Sequence, residues 1–234
     1  GDAFTNLSST TATLGERGWF PTVSHDGFLW VIGGQRAAAN SSLRDVWRSE
    51  HGEEWCEITA TATWTARHRH AALSFQGRLW VLGGQHHGQS AYLSDVWVSD
   101  DGGTWEVATR SAAFGGRAGH AAATHGGRMW VYGGEASGSE VWASVDGVEW
   151  LSATMSAGWS ARNLDVGLVF DGKLWVVGGY NQSHGMSDVW WSADGADWTR
   201  STAVAQWGRR YGARSVALNK RMWLLGGAGD SSCA

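Results

Sequence analysis

Short apolar segments alternate with Gly-rich polar turns along the whole chain, and the segments recur in groups of four. In the second group they cover residues 71–75, 79–82, 95–99 and 105–108. Apolar residues run almost continuously through the first two, as is typical of a buried strand. No window combines helix caps with an apolar stripe of 3.6-residue period. The pattern predicts an all-β protein built from units of four short strands.

A fixed set of residues marks each unit. Gly-Gly pairs recur at spacings of 50, 50, 45 and 48 residues, with an Arg 16 residues and a Trp three residues before each first Gly. Four pairs are followed by an acidic residue, Val and Trp, then a turn and another Trp. Four strands in 45–50 residues match one blade of a β-propeller. The pairs are Gly33-Gly34, Gly83-Gly84, Gly133-Gly134, Gly178-Gly179 and Gly226-Gly227, and the Arg residues are Arg17, Arg67, Arg117, Arg162 and Arg210.

These units resemble the kelch repeat family over essentially all 234 residues. The resemblance implies a β-propeller in which the Gly pair ends the second strand of each blade. The chain carries Trp where many kelch repeats have Tyr in that strand. Kelch propellers include both binding modules and enzymes, so the fold does not decide the function. The resemblance rests on the Arg-x-x-His starts Arg67/His70 and Arg117/His120, the strand at 79–84, the block Asp95-Val96-Trp97, and Trp105.

The repeat predicts one propeller domain over residues 1–234, with units at about 17–64, 67–114, 117–159, 162–207 and 210–234. Residues 1–14 align with the fourth strand of a unit, with Phe4 in the outer Trp position. We therefore expect five blades, closed by pairing of this N-terminal strand with the C-terminal blade, which removes the exposed edge. The third strand of the closing blade is missing, and we expect it just upstream of Gly1. A window on a longer array of six or seven blades is the alternative.

Most Trp residues are expected to be structural, and so are the five Arg residues that lie 16 residues before the Gly pairs, which we call the slot Arg residues. Sixteen of the 18 Trp residues occupy four repeat positions, which indicates packing between neighbouring blades. Trp19 and Trp191 lie outside these positions, and Trp19, two residues after Arg17, is the better candidate for stacking on a ligand. Each slot Arg is expected to bond loop carbonyls or a neighbouring acid. The candidate acids are Asp45, Asp95, Glu140 and Asp188.

The candidate binding residues lie where the repeats differ. One variable stretch follows each slot Arg and the other follows each Gly pair. In an up-and-down blade these two connections lie on the same face, so both should converge around one end of the central channel. Their mixed polar and aromatic side chains suit a site for a protein segment or a small ligand. The predicted ligand-binding residues are Trp19, Gln35, Arg36, His68, Arg69, Gln85, His86, Glu135, Asn163, Tyr180, Asn181 and Tyr211.

Charge and motifs narrow the function classes. A net charge of −4 argues against nucleic-acid binding. The sequence contains no run of 18 apolar residues, so no membrane-spanning helix is predicted. The nine His residues lack metal-ligand spacing, so neither a metal nor a cofactor is predicted. No catalytic motif is present, so no catalytic residue is assigned.

The sequence therefore favours a non-catalytic propeller that binds a protein or a small ligand at the channel mouth. One alternative is a sugar-acting kelch enzyme of the mutarotase or oxidase kind. Another is a structural propeller joined to other domains of the same protein or held in a larger assembly. The sequence does not indicate a compartment.

Overall fold

The computed structural model describes residues 14–36, 38–163 and 167–229, and its regular elements are all β-strands. The first blade contains β1 (Thr22–His25), β2 (Phe28–Arg36), β3 (Ser41–Ser49) and β4 (Cys56–Thr59). The second contains β5 (Ala71–Phe75), β6 (Arg78–Gln85), β7 (Tyr92–Ser99) and β8 (Glu106–Thr109). The third contains β9 (Ala121–His125), β10 (Arg128–Tyr132), β11 (Val141–Ser144) and β12 (Leu151–Thr154). The fourth contains β13 (Gly167–Phe170), β14 (Lys173–Tyr180), β15 (Gly185–Ser192) and β16 (Thr199–Thr202).

The blades are antiparallel four-stranded sheets arranged as a propeller. Within each blade the strands pair in chain order. The first strands β1, β5, β9 and β13 lie next to one another in succession, and β13 adjoins the hairpin of β17 (Arg210–Leu218) and β18 (Arg221–Gly229). A cavity of about 620 Å³ is lined by the starts of β1, β5 and β9 and by the middle of β17. The predicted all-β propeller of four-stranded blades is confirmed.

The prediction of five closed blades is wrong for the described residues, which form four complete blades and the two-stranded β17–β18 hairpin. The hairpin joins the fourth blade through a bridge between Met186 and Arg210. Among residues 14–36, 38–163 and 167–229, no strand pairs with the outer edge of β18. The predicted closing strand lies outside the described residues, except for residue 14.

The Gly pair does not end the second strand in three blades, since β2 continues two residues beyond it and β6 and β14 continue one. The register instead shifts at the pair, as it does between Ile32 and Gly34. Gly34 has φ 108°, and a Cβ there would lie 2.8 Å from the Cβ of Phe20. The pair is therefore a bulge that lets the strand pass close to the segment after the slot Arg. In the third blade the strand does end, at Tyr132.

Three of the five Trp residues before the Gly pairs, Trp30, Trp80 and Trp130, pack between blades as predicted, whereas Trp223 in the hairpin is 44% exposed. Each indole N–H donates to the carbonyl five residues earlier, such as Trp80 to Phe75 at 3.1 Å. The ring lies against the Asp-Gly turn of the following blade, where a glycine leaves room for it. A Cβ on Gly102 would lie 2.3 Å from the Trp30 ring, one on Gly147 2.1 Å from Trp80, and one on Gly195 2.0 Å from Trp130.

The predicted pairs between slot Arg residues and third-strand acids form in three blades and fail in one. The guanidinium of Arg67 donates to both carboxylate oxygens of Asp95 at 2.8 Å. Glu140 was predicted to play the same part for Arg117, but it makes no ion pair there and accepts from the backbone N–H of Gly138 at 2.9 Å. Residue 140 precedes β11, so its longer side chain turns back on its own loop. The pairs that form are Arg17–Asp45, Arg67–Asp95 and Arg162–Asp188.

Two imidazoles are buried between blades. His70 and His120 are only 5% and 6% exposed, and neither makes a hydrogen bond of good geometry. A Cβ on Gly83 would lie 3.2 Å from Cε1 of His120, so this ring is wedged against the blade before its own. Burial, with the nearby Arg117 charge, lowers the pKa of His120 to about 3, and burial likewise holds the pKa of His70 well below 6.5.

Candidate functional site

Main-chain hydrogen bonds join three successive blades at one end of the cavity. Trp19, Arg69 and Gly119 each lie two residues after a slot Arg and have left-handed φ values of 58°, 53° and 62°. The N–H of Arg69 donates to the carbonyl of Trp19, and the N–H of Gly119 donates to the carbonyl of Arg69, both at 2.8 Å. Because all three residues line the cavity, we call this end the channel mouth. Gly212, at the same repeat position, also has a positive φ, of 68°.

The two variable stretches lie side by side within each complete blade. Isolated bridges pair His68 with Gln85 and Asn163 with Tyr180, while Gln35 bridges to Gly18. In the third blade the N–H of Glu135 donates to the carbonyl of Ala118 at 2.8 Å. The residues after the slot Arg are therefore adjacent to those after the Gly pair.

Four polar side chains from three blades form a cluster at the channel mouth. Nη1 of Arg69 lies 2.6 Å from Oε1 of Glu135. The same carboxylate accepts from the Tyr92 hydroxyl at 2.7 Å and from Nδ2 of Asn163 at 2.9 Å. The polar cluster, as we call Arg69, Tyr92, Glu135 and Asn163, contains three predicted site residues. Tyr92 was missed, and its place at the start of β7 gave no signal in the sequence.

The cluster holds Glu135 ionised. Burial favours the protonated form of this carboxyl group, but hydrogen bonds from Tyr92, Arg69 and Asn163 and the charge of Arg69 outweigh it and lower the pKa. The pKa of Tyr92 is raised, chiefly because its hydroxyl donates to Glu135. A carboxylate with three donors is well satisfied, so the cluster is a fixed feature of the surface.

An exposed aromatic ring stands beside the polar cluster. Trp19 is 48% exposed, and the guanidinium of Arg69 lies over its ring, 5.3 Å from the centroid. Both side chains border the cavity, as does Arg214. The mouth therefore offers a flat apolar surface next to a positive charge, an arrangement that suits cation–π and stacking contacts.

A second polar group lies between the first and second blades. Nδ1 of His68 lies 2.9 Å from the hydroxyl of Ser42, which also accepts from the backbone N–H of His87 at 2.8 Å. Burial, then the charge of Arg69, lowers the pKa of His68. Gln35 reaches the same region, 3.5 Å from Nδ1 of His87. His86 is directed to the carbonyl of Ala66 at 2.7 Å.

The other predicted site residues are less closely grouped. The rings of Tyr180 and Tyr211 contact each other with centroids 5.1 Å apart, between the fourth blade and the hairpin. Asn181 bonds within its own loop, 3.3 Å from Nε2 of His184. Arg36 is exposed at the end of β2. These side chains are not part of the polar cluster.

Within the part of the chain that the structure describes, no three His, Cys, Asp or Glu side chains are grouped as metal ligands. The same residues include no helix of the length and apolar character needed to cross a bilayer.

Comparison with known proteins agrees with the architecture. Residues 66–109, which hold the second blade, match the family model of the kelch motif. The match and the propeller arrangement of the blades support a kelch-repeat propeller family for the chain. No curated protein matches the sequence.

Proposed function

We propose that this propeller binds a protein segment or a small ligand at the channel mouth and on the adjoining loops. Kelch propellers commonly bind proteins, and this property of the family supports the proposed binding function. The observation that carries the proposal is the polar cluster beside Trp19. A half-exposed indole, a positive charge and an ionised carboxylate are held together by contacts between blades.

The chemistry of the mouth favours recognition by a few fixed groups. The main-chain bonds from Trp19 to Arg69 and on to Gly119 fix the positions of the side chains before a ligand arrives. A ligand that meets pre-ordered groups loses less conformational entropy on binding. The cavity of about 620 Å³ has the volume of a small-molecule or short-peptide site.

The proposed contacts divide between two groups of residues. Trp19 would stack on a flat or apolar group, and Arg69 would donate to an acceptor while it keeps its bond to Glu135. Loop residues would add contacts around the rim, where side chains differ from blade to blade. These loop residues are Gln35, Arg36, His68, Gln85, His86, Asn163, Tyr180, Asn181 and Tyr211.

Selection from a displayed library of random peptides tests the proposal. A peptide enriched on the wild-type protein should bind Trp19→Ala and Arg69→Ala at least about tenfold more weakly, a loss of about 1.4 kcal/mol each. Trp191→Ala is the matched control, because Trp191 lies in β15 opposite Trp175 and does not line the cavity. Equal affinity for Trp19→Ala, Arg69→Ala and Trp191→Ala would contradict the site.

A parallel screen addresses the enzyme alternative. The purified protein is incubated with common sugars and sugar acids, and mutarotation, oxidation and binding are followed. Turnover that is lost in Arg69→Ala would replace the binding function with catalysis at the same mouth. Binding without turnover would support a small-ligand site.

A further inference from the structure

The outer hairpin of the third blade, residues 141–155, exposes four large apolar side chains. Val145, Val148, Leu151 and Met155 are 54%, 51%, 68% and 61% exposed. The first two lie in the turn between β11 and β12, Leu151 begins β12, and Met155 follows its last residue. Single exposed apolar residues are ordinary, but several in one short segment mark an interaction site. We call residues 141–155 the apolar hairpin.

The corresponding hairpins of the other three complete blades carry charged, polar or small residues at these four positions. The apolar side chains are therefore not required by the fold of a blade. The corresponding residues are Glu50, Glu53, Cys56 and Ala60 in the first blade, Asp100, Gly103, Glu106 and Arg110 in the second, and Ala193, Ala196, Thr199 and Ala203 in the fourth.

The turn of the apolar hairpin is held in one conformation by its own side chains. The Ser144 hydroxyl accepts from the N–H of Gly147 at 2.8 Å. Asp146 accepts from the N–H groups of Val148 and Glu149 at 2.9 and 3.0 Å. Because the turn is already ordered, its exposed side chains lose little entropy on binding. Matching bonds are made in the second and fourth blades by Ser99, Asp101, Ser192 and Asp194.

Two opposite charges without partners accompany the apolar side chains. In the second blade Nε of Arg78 lies 2.5 Å from Oδ1 of Asp100. The third blade has Arg128 at the position of Arg78, but it has Val145 at the position of Asp100. Arg128 and Glu149 are both exposed, and neither forms an ion pair within the described residues.

We infer that the apolar hairpin is the interface through which two copies of this chain form a two-fold dimer. A two-fold axis places one surface against itself, so each hairpin covers the apolar side chains of the other. Arg128 of each copy then faces Glu149 of the other, and this charge complementarity favours a second copy as the occupant. None of these residues lines the cavity, so the inference does not depend on the proposed function.

The size of this surface sets the strength of the dimer. Stable dimers bury roughly 800 Å² or more per partner, and four apolar side chains supply only part of that area. We therefore expect a weak dimer, whose population rises with protein concentration.

Sedimentation equilibrium of the whole chain, from micromolar to near-millimolar concentration, tests the inference. The mass of the wild type should rise from that of one chain towards that of two, and Leu151→Glu should weaken dimerisation by at least about tenfold. Val204→Glu is the matched control, at an apolar residue of the fourth blade that is 75% exposed, and it should dimerise like the wild type. A wild type that stays monomeric, or equal dimerisation in the two variants, would overturn the inference.

A charge exchange identifies the occupant as a second copy in this orientation. Arg128→Glu and Glu149→Arg each place like charges opposite one another, so each should weaken dimerisation by about tenfold. The double variant should restore the wild-type dissociation constant, because the two charges have exchanged places across the axis. Both residues are exposed, so the thermal unfolding midpoint of each variant should match that of the wild type. A double variant that dimerises no more tightly than the single variants would overturn the inference.

Discussion

Arg69 reaches across a blade boundary to Glu135, with 2.6 Å between Nη1 and Oε1. The pair connects the second blade to the third, and Asn163 extends the connection to the fourth. One ion pair therefore contributes to both the proposed binding surface and the contact between blades. Its two roles can be separated by measuring stability and affinity on the same variants.

We expect Glu135→Gln to lower the free energy of unfolding by about 1–3 kcal/mol at pH 7, because it removes a partly buried charge that accepts three hydrogen bonds. The pKa of Glu135 is lowered in the folded state, so its stabilisation is complete above the unfolded value of 4.5 and is lost as pH falls through the folded value. Urea unfolding at several pH values should show the difference from wild type shrinking below pH 4.5. Glu106→Gln, at an exposed acid, is the control, and an equal effect there would contradict the assignment.

The buried pair of Arg67 and Asp95 should be far more sensitive than its counterpart in the third blade. We expect Asp95→Asn to cost about 3 kcal/mol, since it leaves the fully buried Arg67 guanidinium without its counter-charge. Glu140→Gln should cost less than about 1 kcal/mol, because Glu140 makes no ion pair with Arg117 and Gln keeps an acceptor for Gly138. Thermal and urea unfolding measure both. Similar losses for the two variants would show that a Glu140–Arg117 pair forms in solution.

The turn glycine that covers Trp80 should not tolerate a methyl group. Gly147→Ala would place a Cβ 2.1 Å from the indole in a backbone with φ 76°, and we expect a loss of several kcal/mol. Gly77→Ala is the matched control, since Gly77 has φ 71° but nothing within 4 Å of its added Cβ. It should lose only the cost of the left-handed backbone, about 1–2 kcal/mol. Equal losses would mean that the Trp80 contact contributes nothing.

Buried imidazoles should make the protein lose stability in mild acid. The pKa of His120 is about 3 in the folded state and 6.5 when exposed, so the unfolded chain takes up a proton first as pH falls. Its neutral burial therefore contributes stability above pH 6.5 that declines between pH 6.5 and 3, with a loss of about 1 kcal/mol for each pH unit in the upper part of this range.

The His120→Gln variant tests this relation through the pH dependence of stability and not through stability itself. Its urea midpoint should fall less steeply between pH 7 and 5 than that of wild type. The variant His51→Gln, at an exposed His, should keep the wild-type slope. An unchanged slope in His120→Gln would show that the ring protonates in the folded protein.

The four-stranded blades could be predicted from the sequence because the same packing contacts recur in successive blades. Trp80 needs a glycine turn from the next blade, and Arg67 needs an acid from its own third strand, so these residues repeat and can be recognised. The bulge at Gly34 was missed because glycine pairs commonly end strands, and only the approach of Phe20 shows why this strand continues.

The polar cluster could be predicted only in part. Arg69, Glu135 and Asn163 stood out because they differ from their repeat counterparts. Tyr92 did not, because its role depends on the position of Glu135, 43 residues away in the next blade. The prediction of five closed blades was wrong for a related reason, since the number of repeats does not reveal whether β18 has a partner strand.

The left-handed conformation of Trp19 and Arg69 has an energetic consequence. Glycine occupies the equivalent positions at Gly119 and Gly212 without steric strain, whereas a bulky side chain at φ near +55° costs about 1–2 kcal/mol. Arg69→Gly would relieve this strain and at the same time remove the guanidinium from the channel mouth. Selection for thermal stability alone would favour glycine at residue 19, whereas at residue 69 the relieved strain is offset by loss of the Arg69–Glu135 ion pair. The persistence of Trp19 would therefore measure how strongly the protein needs what the mouth binds.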